Sequence, residues 1–547
     1  MRSAIVFAVV LTACSGSSEE KGAGSPDATA DVVAPADGDL PPDGPVDAAP
    51  PPKTSCVAPV ALADGSKPTT VVGSGTAASC TEAAFGAAVA KGGVITFDCG
   101  TEPVTITLST EKVAPNDRDT IVDGGGKVTL SGGGKTRILA LRHSFEKLSP
   151  RLTVQRLAFS DGFTTDVPNT TDTKQGGAAI YRLGGELVIV DCTFTKNVCP
   201  LTGQDVAGGA VYSVGGGDTT IVRSAFVENR CSNGGAIGAL GSGLRLVDVR
   251  VENNRATGNA GNPGNGGNGG GVCMDGKGKQ LSICGSILAG NTGNAFGGAL
   301  FRTSYEGEPT TIDRTAVLDN SIPKREPGSK EPSMAGGLYL QGTKVSITSS
   351  TIARNAANSV GGVFFAYHGA APGSFTMENV TIALNQAWPQ TDFTKQGLAG
   401  GLSANGEVTG VIKSCTIVGN VAQFAAGIAN VSGLEIVDSI IANTAANKWT
   451  PLNCTGRSYD KPLGKGAPNL QWPDPTKASS DIRCTEGTAL FADPHPTLGP
   501  LADNGGPTPT MKLLAGSPAI GKGSGCPAVD QRGVARKTCD LGAVAAD

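Results

Sequence analysis

"GGAVYSVGGGDTTIVRSAFVEN", from Gly208 to Asn229, sets out two glycines, an apolar run, a glycine turn, a second apolar run and then Phe-x-x-Asn. The same order returns at "GGALFRTSYEGEPTTIDRTAVLDN" (Gly297 to Asn320) and "GGVFFAYHGAAPGSFTMENVTIALN" (Gly361 to Asn385). Glycine pairs, or close substitutes, start at residues 176, 208, 234, 270, 297, 336, 361, 400 and 426. The closing Asn falls at Asn197, Asn229, Asn254, Asn291, Asn320, Asn355, Asn385 and Asn420, with a weaker ninth at Asn443. Intervals run from 23 to 39 residues, the long ones carrying insertions such as "IPKREPGSKEPS".

Within a unit the apolar runs have strand length and alternate, as Leu187, Ile189 and Phe194 do in "ELVIVDCTFTKN". Three short strands per unit, with no helical spacing, predict an all-β chain coiled as a right-handed parallel β-helix. One coil cannot bury its inner face alone, so the coils stack about 4.8 Å apart around a shared core. The Asn column is expected at a turn, where Asn tolerates left-handed geometry and its amides hydrogen-bond from coil to coil. Replacing one of them by Leu should cost about 1–3 kcal/mol. The glycine pair is expected at the opposite corner, where a Cβ would crowd the next coil.

Composition agrees with many tight turns. The 547 residues include 79 glycines, about twice ordinary usage, and only 5% aromatics. A net charge of −4 without a basic run leaves no footprint for nucleic acid.

Residues 1–14 read as a leader: Arg2, the apolar run Ala4 to Leu11, then "LTAC" ending at Cys14. The ending resembles the bacterial lipobox, which implies lipidation of Cys14. Ser15 after it implies, by the same resemblance, the outer membrane or cell surface. Residues 15–55 are Ala-, Asp- and Pro-rich and read as a disordered tether between the lipid anchor and the folded body. Export makes disulfides permissible, and setting Cys14 aside leaves thirteen cysteines, an odd number. Sequence neighbours suggest Cys80–Cys99, Cys192–Cys199, Cys273–Cys284, Cys454–Cys484 and Cys526–Cys539, although spacing alone leaves the connectivity open.

Residues 56–93 form the expected N-terminal cap, with a short helix in "SCTEAAFGAAVAKGG" near-capped by Thr81 and facing inward with Phe85 and Val89. Repeats occupy 94–449, and 450–547 is a Cys-bearing C-terminal region. The recurring "GGAAI", "GGAV", "GGAI" and "GGAL" with "FTKN" and "FVEN" resemble the polymorphic outer membrane protein repeat over roughly residues 150 to 445. The membrane barrel that ends such proteins is not matched by "LGAVAAD", so anchoring falls to the lipid. "LGPLADNGGPTPTMKLLAGSPAIGKG", "CPAVDQRGVAR" and "CDLGA" resemble the terminal region called choice-of-anchor Q. The cap resembles the end of pectate-lyase-like β-helices.

Chemistry is sparse. Galacturonase-type signatures are missing, and His143, His368 and His495 are widely spaced, each read as structural or solvated. "GNGGNG" (Gly264 to Gly269) matches a nucleotide-binding pattern but no helix follows it. Six residues before the closing Asn, Asp191, Arg223 and Asp248 fall on successive coils. A calcium-assisted lyase would use such a column, with carboxylates on the metal and arginine as base; an exposed stack of ion pairs is the plainer reading. Aligned after the glycine pair, Tyr181, Tyr212, Phe301 and Phe365 form a second column, which stacks on sugars if it faces out and fills the core if it faces in.

The expectation is a surface lipoprotein without cofactor that presents a β-helix for adhesion, to a glycan or a protein partner. The alternative is a carbohydrate-active enzyme, a polysaccharide lyase or glycoside hydrolase, with calcium required only for the lyase.

Overall fold

The computed structural model describes residues 56–547 apart from short stretches at 166–167, 262–263, 327–328, 369–372, 389–396, 406–407, 430–432, 444–452, 456–463, 477–481, 488–489 and 492–494. The leader, Cys14 and the 15–55 tether lie outside the described residues.

Three short strands make a coil. In the coil of the opening stretch they are Val211–Val214, Thr219–Val222 and Ala225–Val227. Each pairs in parallel with its equivalent one coil on: Val211 with Ile237, Thr219 with Leu244, Ala225 with Arg250. First strands build one sheet, and second and third strands build a larger one. Their right-handed crossovers make the chain a right-handed parallel β-helix. Val211, Ile221 and Phe226 point inward and are fully buried, and side chains of that size stabilise by about 1.5–3 kcal/mol each when buried. Phe159, Phe194 and Phe226 stack along the axis at 4.8 and 4.5 Å, the coil spacing itself.

The corners explain the repeat. Asp191, Arg223, Asp248, Gly285, Arg314 and Ser349, one per coil, all have φ between 43° and 62°, turning the chain from second to third strand. A second left-handed residue per coil ends the third strand, including Lys196, Glu228, Asp319 and Arg354, and the closing Asn follows it. Left-handed geometry was expected on the Asn itself; it falls one residue earlier, which frees each Asn side chain to point inward. Asn197 Nδ2 donates to Asn229 Oδ1 at 2.9 Å, and the ladder continues without a break through Asn254, Asn291, Asn320, Asn355, Asn385, Asn420 and Asn443 to Asn453. The glycine pair, expected at the opposite corner, instead packs against the Asn corner. A Cβ on Gly209 would sit 2.2 Å from the carbonyl of Gly235 in the next coil and 2.8 Å from the backbone of Arg230, the residue after Asn229, because the chain leaves the third strand and enters the next first strand at the same corner.

Parallel pairing extends past the expected limits of 94 and 449. It starts at Thr70–Val72, which pairs with Ile95 to Phe97, and continues to Leu490–Phe491. Periodicity fades beyond 450, where three of the four described coil strands are only two residues long, Asn469–Trp472 being the exception. The helix Glu82–Lys91 closes the N-terminal end, with Thr81 Oγ1 accepting from Ala84 N and Phe85, Ala88 and Val89 buried.

Both chain ends then lie back along the outside. Residues from Cys56 onward form a strap over Val188, Val190, Val222 and Val247. It is fixed where Ala63 exchanges two hydrogen bonds with the Gln155 amide, at 2.8 and 3.0 Å. At the other end, a hairpin (Leu498–Ala502 with Thr510–Leu513) leads into a segment on the third-strand face. There the Gln531 amide bonds Ser350 O, Thr351, Thr381 and Thr508 at 2.6 to 3.0 Å. Buried Asp438 accepts from the N–H groups of Ser524 and Gly525.

The disulfides are Cys56–Cys284, Cys80–Cys99, Cys199–Cys231, Cys454–Cys484 and Cys526–Cys539. The expected Cys192–Cys199 and Cys273–Cys284 are corrected. A solenoid brings together residues one coil apart, so Cys199, two places after one column Asn, meets Cys231, two places after the next. Cys192 instead points into the core just after a left-handed turn, where the next coil carries Ser224. Cys284 faces outward on a second strand and meets the strap, whereas Cys273 sits on a first strand, around a corner from it. Cys192, Cys273 and Cys415 are buried free thiols.

Candidate functional site

Arg223 holds Asp191 through two bonds, Nε to Oδ1 at 2.7 Å and Nη2 to Oδ2 at 3.1 Å, and Asp248 on the next coil adds its field. The hydrogen bonds that Arg223 donates to Asp191, and the two negative charges, push Arg223 above its ordinary value, opposite to what a base needs. Both partners are about a third or more exposed, so the pair contributes a fraction of a kcal/mol. Asp123 and Arg156 make a like pair earlier on the same ridge. This geometry is an ion-pair stack along a left-handed turn.

The aromatic column needs correction in one coil. Tyr181, Tyr212, Phe301, Tyr339 and Phe364 share a register on the outer face of the first-strand sheet. Phe365 is one place off: it faces inward and stacks on Phe375 at 4.1 Å. The glycine pair slides one residue toward the strand in the later coils, so a fixed offset from it picks the wrong phenylalanine. Facing outward does not expose the column. Arg137 lies over the Tyr181 ring, Tyr212 donates to Asp205 O at 2.8 Å, and Phe296 stacks on Tyr339. All five rings are buried under the loops that follow the Asn column, so they pack the fold and meet no ligand.

At the edge of this covered face is a shallow recess bordered by Gln204, Asp205, Tyr212, Asn233, Leu240, Cys273 and Asp275. Asp205 comes from the loop after Asn197, and Asp275 ends a first strand two coils on. Burial, and then the charge of Asp275, push the Asp205 carboxyl above its ordinary range. Burial pushes the Cys273 thiol well up, which makes it a poor nucleophile. Tyr305 reaches over from the following coil to hydrogen-bond Asp275 and is pushed up by burial and by that carboxylate. Tyr305 stays 39% exposed, and its ring meets His368 edge-on at 4.7 Å.

What holds Tyr305 there is local. Glu308 gathers the 304–308 turn by accepting from the Ser304 hydroxyl, from the N–H groups of Tyr305 and Glu306 at 3.2 and 3.1 Å, and from Gly278 N. Against the upward push of burial, these bonds draw Glu308 down to about 2. From inside the solenoid, Arg302 donates to Lys279 O at 2.6 Å and to the carbonyl of Thr303, bracing the same corner. Arg182 does likewise for Gly215 and Gly217, in the turn that follows the strand of Tyr212. Desolvation pulls both guanidiniums down to about 10.

The structure therefore keeps Asp191, Arg223 and Asp248 together but on a different ridge from the recess. Asp205, Asp275 and Tyr305 were not singled out from sequence. Asp205 lies in "CPLTGQDVA" and Tyr305 in "SYEGE", insertions that vary between coils, whereas Asp275 ends a regular strand and carries no such signal. Of the histidines, His143 Nδ1 accepts from Ser144 N, His495 packs on Trp472, and His368 borders Tyr305.

No family model and no curated protein matches the sequence. Among solved structures, the chain is similar to the periplasmic alginate epimerase AlgG, at 10% identity and a TM-score of 0.35 over 65% of this chain and 77% of that one. It is also similar to the Dettilon tailspike protein gp208, at 13% identity and a TM-score of 0.31 over 73% of this chain and 67% of that one.

Proposed function

We propose that this chain is an exported, lipid-anchored β-helix that binds a glycan at the corner around Tyr305. The observation that carries the reading is a rigidly held, part-exposed aromatic ring beside two carboxylates, Asp205 and Asp275. A sugar ring offers C–H groups on its face and hydroxyls on its edge. An aromatic ring takes the first, and polar groups converging beside it take the second.

Binding of a glycan panel to the purified protein, with Tyr305→Ala alongside, tests this. Affinity should fall at least about tenfold in the variant, the scale of one lost aromatic contact with its buried area. A binder whose affinity ignores Tyr305→Ala sinks the site. The same mixtures can be assayed for new reducing ends. A carboxyl raised by burial beside a second carboxylate is the layout of acid–base glycosidic cleavage. Cleavage lost in Asp205→Asn would move the reading from binding to hydrolysis.

Five disulfides support an oxidising, exported setting. No described helix is long and apolar enough to cross a membrane. Anchoring at Cys14 belongs to the proposal: Cys14→Ser should move the protein out of the membrane fraction, and a variant that still partitions with the membrane would refute it. The proposal extends to kinship with the polymorphic outer membrane protein repeat and with the choice-of-anchor Q terminal region. Both are supported by the recurrence of the GGA[ILV] and FxxN elements, and by the way "DQRG" clips the C-terminal segment to the coils through Gln531 and the buried Asp530–Arg532 pair.

A further inference from the structure

We infer that the corner between first and second strands is a track for a linear, uncharged, β-linked polysaccharide running parallel to the solenoid axis, with Tyr305 as its middle contact; this rests on the glycan reading of that corner. Three exposed aromatic rings stand on this one corner: Phe145, Tyr305 and Tyr367, at 45%, 39% and 40% exposure. Phe145 lies across the turns of two coils, because a Cβ on Gly215 or on Gly241 would come within 2.7 Å of its ring. Tyr305 follows the first strand two coils beyond that of Gly241. Tyr367 follows the first strand two coils further, with its N–H on Asn405 Oδ1 of the next coil at 2.6 Å.

Two coils correspond to about 10 Å. An extended β-linked polysaccharide shows the same ring face at every second sugar, on that length scale, so one chain meets all three aromatics with equivalent faces. Glycines let the side chains of this corner lie close on the turns. Gly215 and Gly241 sit under Phe145, and Gly342 sits under His368, where a Cβ would come 2.9 Å from His368 Cβ, so His368 joins the track between Tyr305 and Tyr367. Charges beside the track pair with one another: Lys277 with Glu306 at 2.5 Å, Arg151 with Glu186 at 2.7 Å, Arg245 with Asp218 at 4.0 Å. A ligand that brings hydroxyls and no net charge suits such a surface, and an acidic polymer would face Asp205 and Asp275 besides.

The test compares affinities of neutral β-linked oligosaccharides of increasing length for the full chain and for Phe145→Ala and Tyr367→Ala. Both replacements are at exposed rings, and thermal unfolding confirms that each variant is folded. Affinity should climb with length until the chain spans Phe145 to Tyr367. Each variant should leave the shortest ligands unaffected and lose roughly tenfold on the longest. Length-independent binding that still needs Tyr305 would overturn the track while leaving the site. Stronger binding of acidic chains would overturn the ligand class. Absence of any glycan binding would overturn both readings together.

Discussion

Replacing both Cys56 and Cys284 by Ser should lower stability by about 5 kcal/mol, the largest effect of any disulfide in the molecule. In the chain-entropy model a cross-link stabilises by restricting the unfolded chain, and the restriction grows with the logarithm of the loop it closes. Here the bonded residues are 228 apart. For Cys526 and Cys539, only 13 apart, the same model gives about 3 kcal/mol. The long bridge has a second role that adds to the first. It pins the strap over Val188, Val190, Val222 and Val247, an apolar stripe on the outer face that water would otherwise reach. Denaturant titrations of the two double-Ser variants decide the matter. If loss of Cys56–Cys284 costs no more than loss of Cys526–Cys539, the strap is a passive appendage.

Asn355→Leu should cost about 3–5 kcal/mol. The sequence alone suggests less, because it counts one amide and one neighbour. In the structure the Asn355 side chain makes five hydrogen bonds. Its Nδ2 donates to Val317 O, Ala353 O and Asn385 Oδ1, and its Oδ1 accepts from Asn320 N and Asn320 Nδ2, all between 2.9 and 3.1 Å. Leu has a similar size but strands donors and acceptors on three coils, each costing about 1–3 kcal/mol when buried without a partner. Hydrogen exchange gives a local readout besides the global one: the Asn320 amide should lose protection first. A variant within about 1 kcal/mol of wild type would mean that water enters the column and satisfies it.

The coil was legible in the sequence because every coil repeats the same physical problem. Glycine is needed where Gly209 approaches Gly235, a left-handed residue where Asp191 or Arg223 turns the chain, and an inward amide after each third strand. Such needs recur in the same order from coil to coil, with the turn residue six before the closing Asn from Asn197 to Asn420, so they survive as a pattern although the coils differ in length. Contacts between coils leave no such trace. Cys199 finds Cys231 because a full coil separates them, and Cys56 finds Cys284 because the N-terminal segment runs outside five of them; neither is a neighbour in sequence. The recess and the Tyr305 beside it combine a regular strand end, Asp275, with insertions of unequal length on other coils that bring Asp205 and Tyr305, where the repeat is broken. Arg182 and Arg302 were hidden for another reason. An arginine at an inward strand position contradicts the apolar alternation, and only the carbonyls of a glycine-rich corner make its burial tolerable.

The strap also decides where mechanical load enters the molecule. Tension on the chain upstream of Cys56 passes through a covalent sulfur bridge to Cys284, in the middle of the stack. The coils before Cys284, including the capped end and its helix, are shielded from that pull. Without the bridge the same force would peel the strap from Ala63 and then unwind the first coil one hydrogen bond at a time. With it, the force is shared at once by the parallel strands above and below Cys284, which must slide together before any of them yields.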